Sequence, residues 1–304
     1  MAPMRSIEVT LGDVTLRSPL IAASGTVGSV WEFAEVADLS AFGAAVAKSV
    51  SPVPWDGQPP PRMAPTRVGM LNAIGIQNPG IDEWLLGHSP RITALDVAVW
   101  GSTVATDPDG FAEVAAGLTA GGVSAIEINL SCPNLDGHLI ATDPVLSGEV
   151  VKAVASVTDL PVSAKLAPDA ERIVDVAGAC IESGASWLVI ANTVRGAAID
   201  IDRRQPVLSG RVGGYSGPAV KPIAIRCIAD VVAELGAVPI VGCGGITRGT
   251  DVIEYLMAGA RAVQMGTALL ADPRSGQRVL TEAARWCDQN DVDTFEEITN
   301  VVFW

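Results

Sequence analysis

Short apolar runs alternate with longer stretches of helical period along nearly the whole chain. That alternation is the mark of repeated strand–helix units around a parallel sheet, whose strands are buried on both faces and so read as continuous apolar runs. Eight runs read as core strands: Leu20–Ser24, Ala44–Val50, Asp96–Trp100, Ala125–Leu130, Pro161–Leu166, Trp187–Asn192, Val238–Cys243 and Ala262–Met265. Eight units favour a closed (β/α)8 TIM barrel over an open doubly wound sheet. The open dinucleotide-binding sheet also lacks its fingerprint, because no Gly-x-Gly-x-x-Gly opens a helix after the first strand. Ahead of the first run, "IEVTLGDVTLRSP" alternates in two short segments about a Gly-Asp turn, which predicts an N-terminal β-hairpin closing the barrel bottom.

No linker breaks the pattern, so residues 1–304 read as a single α/β barrel domain, a routine length for that fold. The longest irregular stretches, Ser51–Asn78 and Pro133–Thr142, each follow a strand end. Both exceed the roughly 2–6 residues usual for such loops, which marks them as lid or substrate-loop candidates. Asp143-Pro144 then supplies a helix N-cap and a first-turn proline.

Composition narrows the chemistry. Hydrophobic residues at 49% and charged ones at 18% supply a large core and exclude disorder. The net charge of −14 repels phosphate backbones, so nucleic acid is not an expected partner. No apolar run reaches the roughly 18 residues of a membrane span, and "MAPMRSIEVTLGDVTLRSP" has no secretory apolar core, so a cytoplasmic protein is expected. Cys132, Cys180, Cys227, Cys243 and Cys287 form no Cys-x-x-Cys, which argues against a disulfide framework, a zinc site or an iron–sulfur cluster in this chain; no metal is expected. Two histidines, His88 and His138, leave a Ser-His-Asp triad little to draw on.

In a barrel the chemistry gathers where strands end. Here those positions hold Ser24, Lys48-Ser49, Asn129 with Cys132, Lys165, Asn192-Thr193, Gly244-Gly245 and Gly266-Thr267. Glycines after strands seven and eight let backbone N–H groups converge, and the helices beginning there add positive dipole ends, a combination that holds a phosphate monoester without arginine. A plain chain turn is the blander reading of either pair. Lys48 and Lys165 end apolar strands, where an ammonium needs an anionic or electron-rich partner; a salt-bridged lysine at a strand edge is the alternative. Cys132 reads either as a small buried hydrophobe or, beside Asn129 and Asn134 and ahead of a long loop, as a base or nucleophile. Asn72, in the glycine-punctuated loop "GMLNAIGIQNPG", suits a planar ligand or an ordinary Asx-turn. His138 reads as a solvated loop residue, with a second base as the alternative, the other four cysteines as structural with Cys243 in the cofactor wall, and the seven tryptophans as packing.

These parts resemble a known family, the class 1 dihydroorotate dehydrogenases, and most closely the catalytic subunit of its NAD-linked (class 1B) branch. The segments "SPLIAASGT", "AKSVS", "PRMAPTRVGMLNAIGIQNPG", "INLSCPN", "SAKLAPD", "ANTVRGAAIDI", "GGYSGPAVKPIAIR", "GCGGI" and "QMGTALL" are similar to that family's blocks and run in its order. The resemblance implies a barrel that binds FMN and oxidises dihydroorotate to orotate in pyrimidine biosynthesis. Cys132 would be the general base, taking a proton while hydride passes to the flavin. By the same resemblance Ser24, Lys48, Ser49, Asn129, Lys165, Ala191, Gly217, Gly244, Gly245, Gly266 and Thr267 bind FMN. Lys48, Asn72, Ala73, Ile74, Gly75, Ile76, Asn129, Asn134, Asn192 and Thr193 surround the substrate. Lys165 would face the flavin edge where a cation stabilises the reduced anion. The resemblance further implies a homodimer that works with an FAD and [2Fe–2S] electron-transfer subunit in a heterotetramer. Two departures stand out: Ala98 where relatives carry a flavin-contacting asparagine at the end of strand three, and a loop over 135–142 without its glycine-rich centre. The residues by themselves leave open a flavin barrel acting on another dihydropyrimidine or enone, or a non-redox phosphate-binding barrel.

Overall fold

The computed structural model of the chain describes residues 6–130, 140–168 and 173–302. In chain order β1 (Val9–Leu11) and β2 (Val14–Leu16) form the N-terminal hairpin, and β3 (Leu20–Ala22) and β4 (Ala44–Val46) begin the barrel. A second hairpin, β5 (Met63–Thr66) and β6 (Gly69–Asn72), precedes β7 (Ala98–Thr103), β8 (Ala125–Asn129), β9 (Val162–Leu166) and β10 (Trp187–Ile190). Four short strands follow: β11 (Val194–Gly196), β12 (Ile199–Asp200), β13 (Gln205–Pro206) and β14 (Gly213–Ser216). Last come β15 (Ile240–Cys243) and β16 (Ala262–Met265).

Eight parallel strands close the barrel in the order β10-β15-β16-β3-β4-β7-β8-β9, and β16 pairs with β3 through Val263↔Leu20 to complete the ring. These are the eight apolar runs read from the sequence. Their residues are almost all buried, including the Trp100–Trp187 pair, whose ring centroids lie 5.0 Å apart. The β1–β2 hairpin buries Leu11 and Leu16 and lies against the barrel's lower rim: a Cβ on Gly43, one residue before β4, would approach Leu16 Cβ to 2.9 Å. Asp143 caps the helix Pro144–Ala155 as expected, its Oδ1 accepting from the N–H of Val145 at 2.9 Å and of Leu146 at 3.1 Å.

Two expectations need correction. Ser51–Asn78 is not irregular throughout, because β5 and β6 lie in it and join β14 and β11 in a four-stranded antiparallel sheet ordered β11-β14-β6-β5. Its glycines and prolines hid the strands. The third barrel strand begins and ends later than the sequence suggested, at Ala98–Thr103 rather than 96–100. Ala98 therefore opens that strand at the end away from its carboxyl terminus, and Ser102 occupies the position facing the site.

Candidate active site

A cavity of about 410 Å³ opens at the carboxyl ends of the barrel strands, a size that suits a cofactor and a small ligand. Every flavin position expected from the sequence lines it: Ser24, Lys48, Ser49, Asn129, Lys165, Ala191, Gly217, Gly244, Gly245, Gly266 and Thr267. Of the substrate positions, Asn72, Ile74, Gly75, Ile76, Asn192 and Thr193 line it too, whereas Ala73 does not; its N–H is committed to the Arg62 carbonyl at 2.7 Å, closing the β5–β6 hairpin. Cys132 and Asn134, like His138 and most of the 135–142 loop, lie outside the described residues.

Polar side chains form a connected wall. Ser49 and Ser102 share a hydrogen bond of 2.9 Å between their hydroxyls, Asn129 Nδ2 donates to Ser49 Oγ at 3.4 Å, and Asn192 Nδ2 donates to Asn129 Oδ1 at 3.3 Å. Asn72 Nδ2 donates to the Gly214 carbonyl at 3.2 Å, so the small antiparallel sheet holds this amide at the cavity. A chain of carboxamides and hydroxyls suits a ligand whose edge alternates donors and acceptors.

The floor carries charge. Lys165 of β9 is buried, and its Nζ donates to Gln264 Oε1 of β16 at 2.9 Å and lies 3.6 Å from Glu127 Oε1 of β8. Gln264 Nε2 in turn donates to Glu127 Oε2. Burial opposes the charge on Lys165, but electrostatic interaction with Cys243 and Glu127 beside it outweighs that cost and holds its pKa above the usual lysine value. Burial pushes the Cys243 thiol up, against the lowering pull of the Lys165 charge. The lysine was legible from the sequence. Glu127 and Gln264 were not assigned a role, although a polar residue within an apolar strand was the available signal in both "AIEIN" and "AVQM".

The glycine turns provide the other end. Gly245 has φ +72°, and a Cβ there would sit 2.9 Å from the Gly217 carbonyl oxygen. Among the described residues, the N–H groups of Gly244 and Gly245 donate to nothing, leaving two donors on half-buried residues that line the cavity. Tyr255 fixes this turn: its ring packs on Gly242 and its hydroxyl donates to the Gly244 carbonyl at 2.7 Å. The expected helix dipole is present after only one of the two glycine turns. Gly266 leads straight into the helix Thr267–Ala271, but the helix Gly249–Ala258 starts farther on and its end is already capped. Asp251 Oδ2 accepts from the N–H groups of Thr247 and Arg248 at 2.8 and 2.9 Å, and Glu282 Oε2 accepts from that of Gly249 at 2.8 Å. The N–H groups of Thr247, Arg248 and Gly249 are thus committed within the protein.

Comparison with known proteins fixes the family. A family model described as dihydroorotate dehydrogenase matches residues 6–285. The chain is 40% identical over 299 residues to a protein of Alkaliphilus metalliredigens named dihydroorotate dehydrogenase B (NAD(+)), catalytic subunit, spanning 96% of this chain and 97% of that one. It is 41% identical over 295 residues, 96% of each chain, to the protein of the same name from Geobacter sulfurreducens. The chain belongs to the dihydroorotate dehydrogenase family. Membership makes it an oxidoreductase of a flavin-dependent family, and the cavity meets that requirement on its own geometry: it has the volume, an uncommitted pair of backbone donors at one end and a buried ammonium on the floor.

Among the described residues no helix is long and apolar enough to cross a membrane.

Proposed function

We propose that this chain oxidises dihydroorotate to orotate for pyrimidine biosynthesis with FMN as its cofactor, the whole chain acting as one barrel unit in the cytoplasm. The observation that carries the reading is the buried Lys165 ammonium beneath a wall of Asn72, Asn129 and Asn192 in a single cavity. When bound, FMN supplies the hydride acceptor.

The chain's own groups do the rest. Gly244, Gly245, Gly266 and Thr267 would hold the FMN phosphate, with Gly217 allowing close backbone approach and Ser24, Ser49 and Ala191 lining the ring. Lys165 would favour negative charge on the reduced cofactor. The carboxamides and Thr193, with Asn134, would clamp the alternating edge of the pyrimidine, and Lys48 with the Asn72–Ile76 loop would close around its carboxylate side. Cys132 would act as the base that takes the C5 proton while C6 gives up hydride to the acceptor, which leaves C5 and C6 joined by the double bond of orotate.

The relatives' names support a catalytic subunit that works beside another chain. We assign this protein as the dihydroorotate-oxidising half of a homodimer-based assembly, with an FAD and [2Fe–2S] subunit carrying electrons to NAD. The test is a visible spectrum of the purified chain. It is expected to be yellow, to bleach on adding dihydroorotate, and to reduce an artificial dye but not NAD. A colourless protein overturns the flavin assignment, and bleaching by dihydrouracil in preference to dihydroorotate overturns the substrate.

A further inference from the structure

Lys165 needs an explanation beyond its position in the floor. It is buried, and a buried lysine without a counter-charge titrates near or below neutrality, where it would be a poor fixed cation. The groups facing it come from different strands: Glu127 from β8, Gln264 from β16 and Cys243 from β15, while Lys48 lines the same cavity from the segment after β4. Glu127 and Gln264 are completely buried. Glu127 Oε1 accepts no hydrogen bond among the described residues and faces Lys165 Nζ at 3.6 Å, while Oε2 takes the Gln264 amide. Gln264 thus spans the pair, accepting from the ammonium through Oε1 and donating to the carboxylate through Nε2. The carboxamide's polarity matches both neighbours, and reversing it would set like against like at each end.

Resting on the reading that this cavity holds FMN, we propose that Glu127 is the counter-charge of Lys165 and, with Gln264 as the bridge, a positioning residue that keeps the ammonium charged and held at the floor. The site then presents a neutral, oriented ion pair to the cofactor instead of a bare cation. Three strands contribute to it, so the barrel itself sets the charge state against which the cofactor is reduced. A bare ammonium would stabilise the reduced anion more strongly, but burial would strip its proton as the pH rises. The ion pair trades strength for constancy across pH.

The measurement is the midpoint potential of the flavin-loaded protein against pH, by equilibration with a reference dye, for the wild type, Glu127→Gln, Gln264→Met and the double variant Glu127→Gln/Lys165→Met. The wild type is expected to show no lysine ionisation up to pH 10. Glu127→Gln is expected to lie above the wild type at low pH, where an uncompensated ammonium favours the reduced anion. Higher in pH it falls below, because Lys165 loses its proton in the oxidised protein and reduction must return it. Across that window one extra proton is taken up per two electrons, a tenfold change in the two-electron equilibrium constant, about 30 mV, for each pH unit. The double variant loses the extra slope. Gln264→Met, which leaves both charges in place, shows the same extra slope beginning at higher pH, so the idea stays testable if Glu127→Gln does not fold. Profiles of both single variants parallel to the wild type, displaced or not, overturn the proposal. A protein without flavin instead defeats the functional reading on which it rests, so the two failures are distinct.

Discussion

At the scale of single residues, the floor and the wall of the cavity divide the work by chemistry. Carboxamides that can both donate and accept surround the space, and the charged side chains that line it are Lys48, Lys165 and Glu127. The sequence announced the first group because asparagines at strand ends are out of place in an apolar run, and it announced Lys165 for the same reason. Glu127 stood in plain view in "AIEINLSCPN" but could not be interpreted, since its partner Gln264 is 137 positions away and only barrel closure brings them together. Cys132 remains the proposed base. Replacing it with serine is expected to slow flavin reduction by dihydroorotate roughly 10²- to 10⁴-fold in stopped-flow measurements while the flavin stays bound. An unchanged rate removes the thiol from the mechanism.

At the scale of elements, the strand ends place the chemistry and the turns between elements shape it. All eight barrel strands were readable because parallel strands buried on both faces leave continuous apolar runs. The strands of the antiparallel sheet were not, being short, only partly buried and rich in glycine, so neither alternation nor apolar content marks them. The end of β7 was misjudged because Gly101-Ser102-Thr103 looks like a turn, although it continues the ladder with Ile126, Glu127 and Ile128. The turn after β15 allows a sharp test. Gly245→Ala places a Cβ 2.9 Å from the Gly217 carbonyl oxygen at φ +72°, and is expected to weaken FMN binding tenfold or more, about 1.4 kcal/mol, in a fluorescence titration. Gly236→Ala bears comparable strain at φ +74° with nothing within 4 Å, and is expected to retain its flavin.

At the scale of the whole molecule, apolar packing and buried charge respond separately. Trp100 and Trp187 pack at a tilt in the buried interior, and Trp100→Ala is expected to cost about 3–5 kcal/mol in denaturant unfolding. Beyond the glycine turn after β15, Asp251 holds a charged cluster with Lys221. Burial raises the Asp251 pKa, but hydrogen bonds from Lys221, Thr247 and Arg248 together with the Lys221 charge outweigh it and hold the carboxyl below its usual 3.8. A carboxyl depressed on folding contributes stability that is complete above the unfolded value and lost as pH falls through the folded one. Asp251→Asn is therefore expected to cost about 1–3 kcal/mol near neutral pH, a difference that shrinks once the pH drops below about 4, as followed by thermal melts across pH.

The sheet β11-β14-β6-β5 deserves a last consequence. It draws Asn72 from one part of the chain and Ser216 from another into the same cavity lining, joined by the pairs Gly214↔Asn72, Tyr215↔Leu71 and Ser216↔Met70. These amide hydrogens are shielded by a thin canopy, whereas those of the barrel staves are sealed inside the protein. A ligand that settles beneath the canopy should slow deuterium uptake at 70–72 and 214–216 together and leave the staves unchanged, so two stretches far apart in the chain would report occupancy in unison.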